Sequence, residues 1–351
     1  MADDVWTIQR ALGWTQDYLS RKGDDNPRAA AQWLLCEATG LSKVELYTSF
    51  DRALSADELS LLHDYVARRG AGEPLQYITG VVPFRHISVK VRRGVLIPRP
   101  ETEVLVSEAL ACLPAPHRTA YDDDIVAAIA GAADSALEII DDDDASESFR
   151  AVFSEAKEAA RAADASAPDG RHNLYVADIC TGSCCIACSI ATEHPDTLVI
   201  ATDIAPEAID LARENIQALG LEKRVGVARG NLGEAIADRF IGKLDLVVSN
   251  PPYVPTDVVA TLPREVADFE PVLALDGGSD GLDLFRTLAT WALSALKPGG
   301  ALAVELHETC LEAAADFVAA LGFTRIKIVK DLAGKNRVLV CRTPGEGIEH
   351  E

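Results

Sequence analysis

At 351 residues the chain has room for two domains, or for one large domain with an appendage. Apolar residues make up 48% of it, enough for a sizeable core, yet no apolar run approaches the roughly 18 residues needed to span a bilayer. A formal net charge of −22 argues against a protein built to grip a phosphate backbone, which calls for a basic footprint. The opening Met1-Ala2-Asp3-Asp4-Val5 has neither the basic nor the apolar segment of a secretory signal. Eight cysteines in a chain of this size do not form a disulfide scaffold. A soluble cytosolic protein with reduced thiols is expected.

Residues 1–75 read as a small helical bundle. Asn26 followed by Pro27 is a cap and a helix start, 29–38 carries Trp33, Leu34 and Leu35, and Gly40 can close that helix. Ser42 with Glu45, and Ser55 with Glu58, fit capping boxes. From 76 to 98 the pattern changes to alternating β-branched and aromatic residues such as Tyr77, Ile78, Phe84, Ile87 and Val89, punctuated by Gly80 and Gly94, which predicts a β-hairpin linker. The remainder, 99–351, reads as an α/β domain. It is entered through Ile97-Pro98-Arg99-Pro100-Glu101, which leads into a helix over 104–113.

An acidic insert at about 114–171 interrupts that domain. Between Tyr121 and Gly170 stand fourteen Asp and Glu against three Lys and Arg, so half of the excess acidity sits in one stretch, and a solvated, partly helical or disordered insert is expected. After it, strands are predicted over 174–179, 198–202, 225–228, 244–249, 301–306, 324–329 and 337–341, with helices over 185–193, 207–219, 281–296 and 308–321. That alternation describes a seven-stranded doubly wound sheet. The link from Asp331 to Asn336 is too short for a crossover helix, so the last two strands should form an antiparallel hairpin.

Chemistry gathers at the strand ends, where open α/β sheets bind ligands. Asp178 closes the first strand, and Cys180-Thr181-Gly182-Ser183-Cys184 is a small-residue turn that brings backbone N–H groups close to a ligand. Asp203 ends the second strand and can accept both hydroxyls of a ribose. Asn231 and Leu232 follow the third, placed to meet the amino edge and the face of an adenine. The fourth strand runs into Asn250-Pro251-Pro252-Tyr253. Prolines also simply stop strands, so a plain loop fits this tetrapeptide too. Its chemistry is nevertheless specific. The Asn250 amide oxygen and a proline carbonyl are two acceptors, the pyrrolidine rings hold φ fixed, and Tyr253 offers a flat face. Two acceptors converging on one planar nitrogen suit an –NH2 group that is to be alkylated.

With these pieces in order the chain resembles the HemK/PrmC family. The resemblance rests on Gly72-Glu73-Pro74-Leu75-Gln76-Tyr77-Ile78-Thr79-Gly80, the segment from Ile97 to Glu103, the Asp178 turn, Asp203 and Asn250 to Tyr253. It extends to Glu270-Pro271, Leu275-Asp276-Gly277-Gly278 with Asp280-Gly281, and Asp331-Leu332-Ala333-Gly334 with Arg337. It implies a class I S-adenosylmethionine-dependent methyltransferase that modifies the amide nitrogen of the Gly-Gly-Gln glutamine in peptide chain release factors. It also implies an N-terminal bundle that helps to grip that protein substrate. By the same resemblance Asp178, the 180–184 turn, Asp203, Asn231, Leu232 and Asn250 would hold S-adenosyl-L-methionine. Asn250, Pro251, Pro252 and Tyr253, with Pro98, Arg99 and Glu101 nearby, would meet the glutamine. A monomer needing neither nucleic acid, membrane nor metal is expected.

Three departures stand out. Cys180 and Cys184 replace two of the family's turn glycines, Asn231 stands where the family usually has Asp, and the acidic insert is longer than usual. Cysteine has a Cβ and disfavours positive φ, so either the turn needs no positive φ at those points or cofactor affinity differs. Cys180, Cys184, Cys185 and Cys188 match no clean metal-ligand spacing and read as small packing residues. Cys184 at a helix start is expected to have a lowered pKa and to be oxidisable. The alternatives are a glutamine methyltransferase for a ribosomal protein, a nucleic-acid amino-methyltransferase, and a non-catalytic S-adenosylmethionine-binding protein. The seven histidines form no triad-like arrangement.

Overall fold

The computed structural model describes residues 5–116 and 173–345. The acidic stretch read over 114–171 lies outside the described residues, apart from its first three. The chain divides into two compact units. One is Met1–Val81 with Val91–Arg93 and Leu262–Glu270, and the other is Val82–Lys90 with Gly94–Thr261 and Pro271–Glu351. Among the described residues no helix is long and apolar enough to cross a membrane.

The first unit is helical, with Ile8–Lys22, Pro27–Thr39, Lys43–Thr48 and Ala56–Gly70. Local chemistry sets its boundaries. The Asn26 side chain accepts from Ala29 N–H, and Gly40 ends that helix at φ 68°. Ser42 with Glu45 and Ser55 with Glu58 form complete capping boxes, satisfying N–H groups that a helix otherwise leaves open. Leu34, Leu35, Leu46, Leu62 and Val66 are among the residues that make its core. Arg69 is buried and paired with Asp24 at 2.6 Å and Glu265 at 2.5 Å. That pairing brings Leu262–Glu270, remote in sequence, into the helical unit.

The hairpin begins later than expected. Leu75–Thr79 is a short helix entered from Pro74 and closed by Gly80 at φ 76°. Tyr77 and Ile78 suit a buried position in either kind of element, and the flanking Pro and Gly favour the helical turn. The hairpin itself is β1, Val81–Phe84, and β2, Ile87–Lys90. Its inward residues Phe84, Ile87 and Val89 join the core of the second unit. Each contributes about 1.5–3 kcal/mol of burial, so the hairpin is more than a spacer.

The second unit is built on a sheet of seven strands: β3 Leu174–Ile179, β4 Thr197–Asp203, β5 Val225–Arg229, β6 Leu244–Ser249, β7 Leu296–Glu305, β8 Thr324–Lys330 and β9 Asn336–Arg342. Their order is β5-β4-β3-β6-β7-β9-β8. The first five run parallel, and β9 pairs antiparallel with both β7 and β8. The order reverses between β3 and β6, the switch point at which such sheets open a crevice. β6 is buried along its whole length, as a central parallel strand should be. On one face Val176, Leu246 and Val248 pack with Leu105 and Ile190, and on the other Ile179, Leu244 and Val247 pack with Phe285 and Leu288. The start of β7 differs from expectation. Leu296 caps the helix Asp283–Ala295 and already pairs with Leu244, and the register then shifts so that Leu246 faces Ala301. Lys297-Pro298-Gly299-Gly300 spans that irregularity.

Candidate active site

The turn after β3 holds an unusual backbone. Cys180, Gly182 and Cys184 lie at φ 61°, 55° and 67°. The two cysteines thus occupy the left-handed region despite their Cβ atoms, at a cost of about 1–2 kcal/mol each. The turn is tied down from several sides. Thr181 N–H donates to the Thr202 carbonyl at 2.9 Å, and Gly182 N–H donates to Asp203 Oδ2 at 2.9 Å. Beneath it Asp178 is fully buried. Its Oδ2 accepts from the Thr181 hydroxyl at 2.6 Å and from Ala187 N–H, in the first turn of helix Cys185–Glu193, at 3.1 Å. Burial pushes the Asp178 carboxyl up to about 7, against those two hydrogen bonds. Its Oδ1 has no hydrogen-bond partner among the described residues.

The expectation of a reactive Cys184 is overturned. Its thiol is fully buried, and the neighbouring Cys188 thiol and burial both push its pKa up. A helix N-terminus lowers a thiol pKa where the group is otherwise open to charge and solvent, and this one is enclosed in the core. Among the described residues no group of three His, Cys, Asp or Glu could hold a metal ion.

A cleft of about 1070 Å³, counted out to open solvent, runs along the strand ends of the second unit. Its floor is Cys180, Thr181, Gly182 and Ser183 after β3, Asp203 after β4, and Asn231 and Leu232 after β5. Asn250 and Pro252 after β6 close one end. Val95 to Arg99 with Thr102 form a wall on one side, and Pro271, Leu273 and Ala274 contribute further apolar surface. Pro98 and Arg99 therefore share the cleft with Asp203 and Asn250. Asp178, Cys184, Pro251, Tyr253 and Glu101 are not among its lining residues. Asp178 supports the turn from below, and the Tyr253 hydroxyl donates to Glu305 Oε1 at 3.2 Å.

Asp203 Oδ1 accepts from Ala205 N–H at 3.0 Å and Oδ2 from Gly182 N–H, which leaves lone pairs on both oxygens for a ligand. Burial raises its pKa while the backbone donors oppose the rise. The Asn250 amide Nδ2 donates to Thr102 Oγ1 at 3.3 Å. The loop after β6 is clamped from behind. Val254 N–H donates to the Leu275 carbonyl and Gly277 N–H to the Val254 carbonyl, both at 2.8 Å. A Cβ on Gly277 would come within 2.7 Å of Tyr253 Cα, and one on Gly281 within 2.3 Å of the Tyr253 carbonyl oxygen. Glycine at these two positions lets the chains touch.

Thr102 and Glu305 were not singled out from the sequence. A signal existed for Glu305, an acid closing the apolar run Ala301-Leu302-Ala303-Val304 at the same sheet edge as Asp203 and Asn250. Chemically the cleft offers backbone N–H groups, one carboxylate, apolar walls and a side-chain amide, a set suited to a nucleoside with an amino-acid tail beside a second polar substrate.

Known proteins share these features in sequence. Residues 10–80 match the PrmC N-terminal domain, and residues 151–264 the Methyltransferase small domain. A release factor glutamine methyltransferase from Geobacter sulfurreducens is 36% identical over 96% of this chain and 96% of its own length. Enzymes of the same name from Rhodopirellula baltica and Caulobacter vibrioides are 32% and 34% identical, over 96% and 95% of this chain and 96% of each relative.

Proposed function

The chain belongs to the release factor glutamine methyltransferase family, and we propose that it transfers a methyl group from S-adenosyl-L-methionine to the side-chain amide nitrogen of a glutamine, that of the Gly-Gly-Gln motif in peptide chain release factors. The observation that carries this reading is the position of Asn250, which directly follows β6 and lines the same cleft as Asp203 and the turn after β3. The residues fit the cofactor: a carboxylate with lone pairs to spare, a close-approaching turn, and Asn231 beside Leu232 for a base. When bound, S-adenosylmethionine supplies a methyl group on a sulfonium, an electrophile with a good leaving group.

An amide nitrogen is a poor nucleophile because its lone pair is delocalised into the carbonyl. Asn250 Oδ1 and the Pro251 carbonyl accept its two N–H bonds, which fixes its direction and favours a more pyramidal nitrogen. Such gains come from orientation and fixed dipoles. Pro251 and Pro252 stiffen the loop, and Tyr253 anchors it through Glu305. The nitrogen releases a proton to solvent once its new bond to carbon has formed, so no strong base is required. Pro98 and Arg99, which line the cleft, border the entry of the glutamine. The helical unit grips the release factor, and the enzyme acts as a cytosolic monomer that needs no nucleic acid of its own.

The test incubates the protein with S-adenosylmethionine and a purified release factor, then maps methyl groups by peptide mass spectrometry. Methylation confined to the Gly-Gly-Gln glutamine supports the reading. An unmodified release factor, with methyl found on a ribosomal protein or a nucleic acid, overturns it.

A further inference from the structure

Asn215 lies on the helix Pro206–Ala218 and is only 1% exposed, an uncommon place for a side-chain amide. All of its polar hydrogens are used. Oδ1 accepts from Lys90 N–H at 2.7 Å, and Nδ2 donates to the Lys90 carbonyl at 3.0 Å and to the Ser183 carbonyl at 2.9 Å. A backbone N–H only donates and a carbonyl only accepts, so the amide has a single possible orientation. It fastens the end of β2 to the turn after β3.

The bond to Ser183 acts on the residue that follows. In a helix continued backwards, the Ser183 carbonyl would receive Ala187 N–H, but that group is given to Asp178 Oδ2 at 3.1 Å. Asn215 takes up the carbonyl instead. This carbonyl belongs to the peptide plane that enters Cys184, whose N–H donates to the Thr181 carbonyl at 2.9 Å. The plane that leaves Cys184 is held by Cys188 N–H on the Cys184 carbonyl, also at 2.9 Å. Two fixed planes determine the φ and ψ between them, and at Cys184 φ is 67°. Of the two ties on the entering plane, the one to Thr181 moves with the turn, whereas Asn215 fixes it from outside. Thr181, Gly182 and Ser183 line the cleft, so the conformation held in this way is that of the cleft floor.

We propose that Asn215 is a positioning residue that holds the turn after β3 in its left-handed conformation, and that it allows cysteine to stand at position 184, where glycine would adopt that backbone unaided. This inference rests on the reading of the turn as the seat of S-adenosylmethionine. Without Asn215, a side chain with a Cβ is free to leave the left-handed region, and the cofactor then binds only the fraction of molecules in which the turn is still formed.

The experiment measures the S-adenosylmethionine Kd by calorimetry for wild type, Asn215→Ala, Cys184→Gly and the double variant C184G/N215A. Asn215→Ala is expected to raise Kd by at least about tenfold, or about 1.4 kcal/mol, the scale of one lost hydrogen bond. The same substitution added to Cys184→Gly should raise Kd by less than about threefold over Cys184→Gly alone, because glycine keeps a positive φ without steric cost. A wild-type Kd in Asn215→Ala would overturn the proposal. So would equal losses in the two backgrounds, the additive result that a general structural role gives. If Asn215→Ala does not fold, Asn215→Asp, which keeps an acceptor for Lys90 N–H and replaces the NH2 by oxygen, decides by the same comparison. Failure of both to fold in either background would assign Asn215 to folding and overturn the positioning role. A wild-type protein that binds no S-adenosylmethionine is a separate outcome. It removes the functional reading, and the positioning role falls with it.

Discussion

Asp178 offers a quantitative test of how the turn after β3 is supported. Its carboxyl is pushed from an ordinary 3.8 up to about 7 by burial, the loss of hydration outweighing its bonds to Thr181 and Ala187. The sign follows directly. Between those two values the folded protein holds a proton that the unfolded chain has released, so stability falls as pH rises through the window and levels off above it. The shift corresponds to roughly 4 kcal/mol, at 1.36 kcal/mol per unit. Asp178→Asn removes the titration. Its amide oxygen can still accept from Thr181 and Ala187, and its NH2 takes the unpartnered position of Oδ1 at a cost of about 1–3 kcal/mol. The variant should therefore be less stable than wild type near pH 4 and more stable near pH 8, the difference changing sign between. Urea unfolding of both proteins across that range measures it, with the m-value checked for constancy. A stability difference that does not vary with pH would refute the reasoning, because it would mean that the carboxylate is charged in the folded state at no cost.

Asp203→Ala should weaken S-adenosylmethionine binding by about tenfold or more, the equivalent of one charge-assisted hydrogen bond, and calorimetry reads it directly. Gly281→Ala combines φ 78° with a Cβ 2.3 Å from the Tyr253 carbonyl oxygen. It should lower stability by about 2 kcal/mol or more, with a matching fall in Tm.

Much of this architecture is legible in the chain because it is local. Strands β3 and β6, the helix Cys185–Glu193, both capping boxes and the C-terminal hairpin follow from short patterns, and their bounds agree within a residue or two. The strand-end residues were readable for the same reason: once the strands are placed, topology brings Asp203, Asn231 and Asn250 to one edge. What escaped is non-local. Cysteine is not a residue from which positive φ can be inferred, so the left-handed backbone at Cys180 and Cys184 needed coordinates. The closure of the Cys184 thiol depends on core packing, and local helix position pointed the other way. Arg69 with Glu265, and Thr102 with Asn250, join residues far apart in sequence through contacts that no periodicity encodes. Leu75–Thr79 is helical where the pattern predicts strand, because an apolar, aromatic run fits both until Pro74 and Gly80 are weighed.

The central claim is that Asn250 acts chiefly by orienting the reacting amide, with most of the cofactor affinity supplied by the other residues of the cleft. Its most direct test is Asn250→Ala measured twice on the same preparation, by single-turnover methyl transfer to a purified release factor and by calorimetric titration with S-adenosylmethionine. The expected result is a transfer rate lower by about 100-fold or more, the scale of losing a fixed dipole at a reacting centre, with Kd within a few-fold of wild type. Transfer at the wild-type rate would contradict the claim.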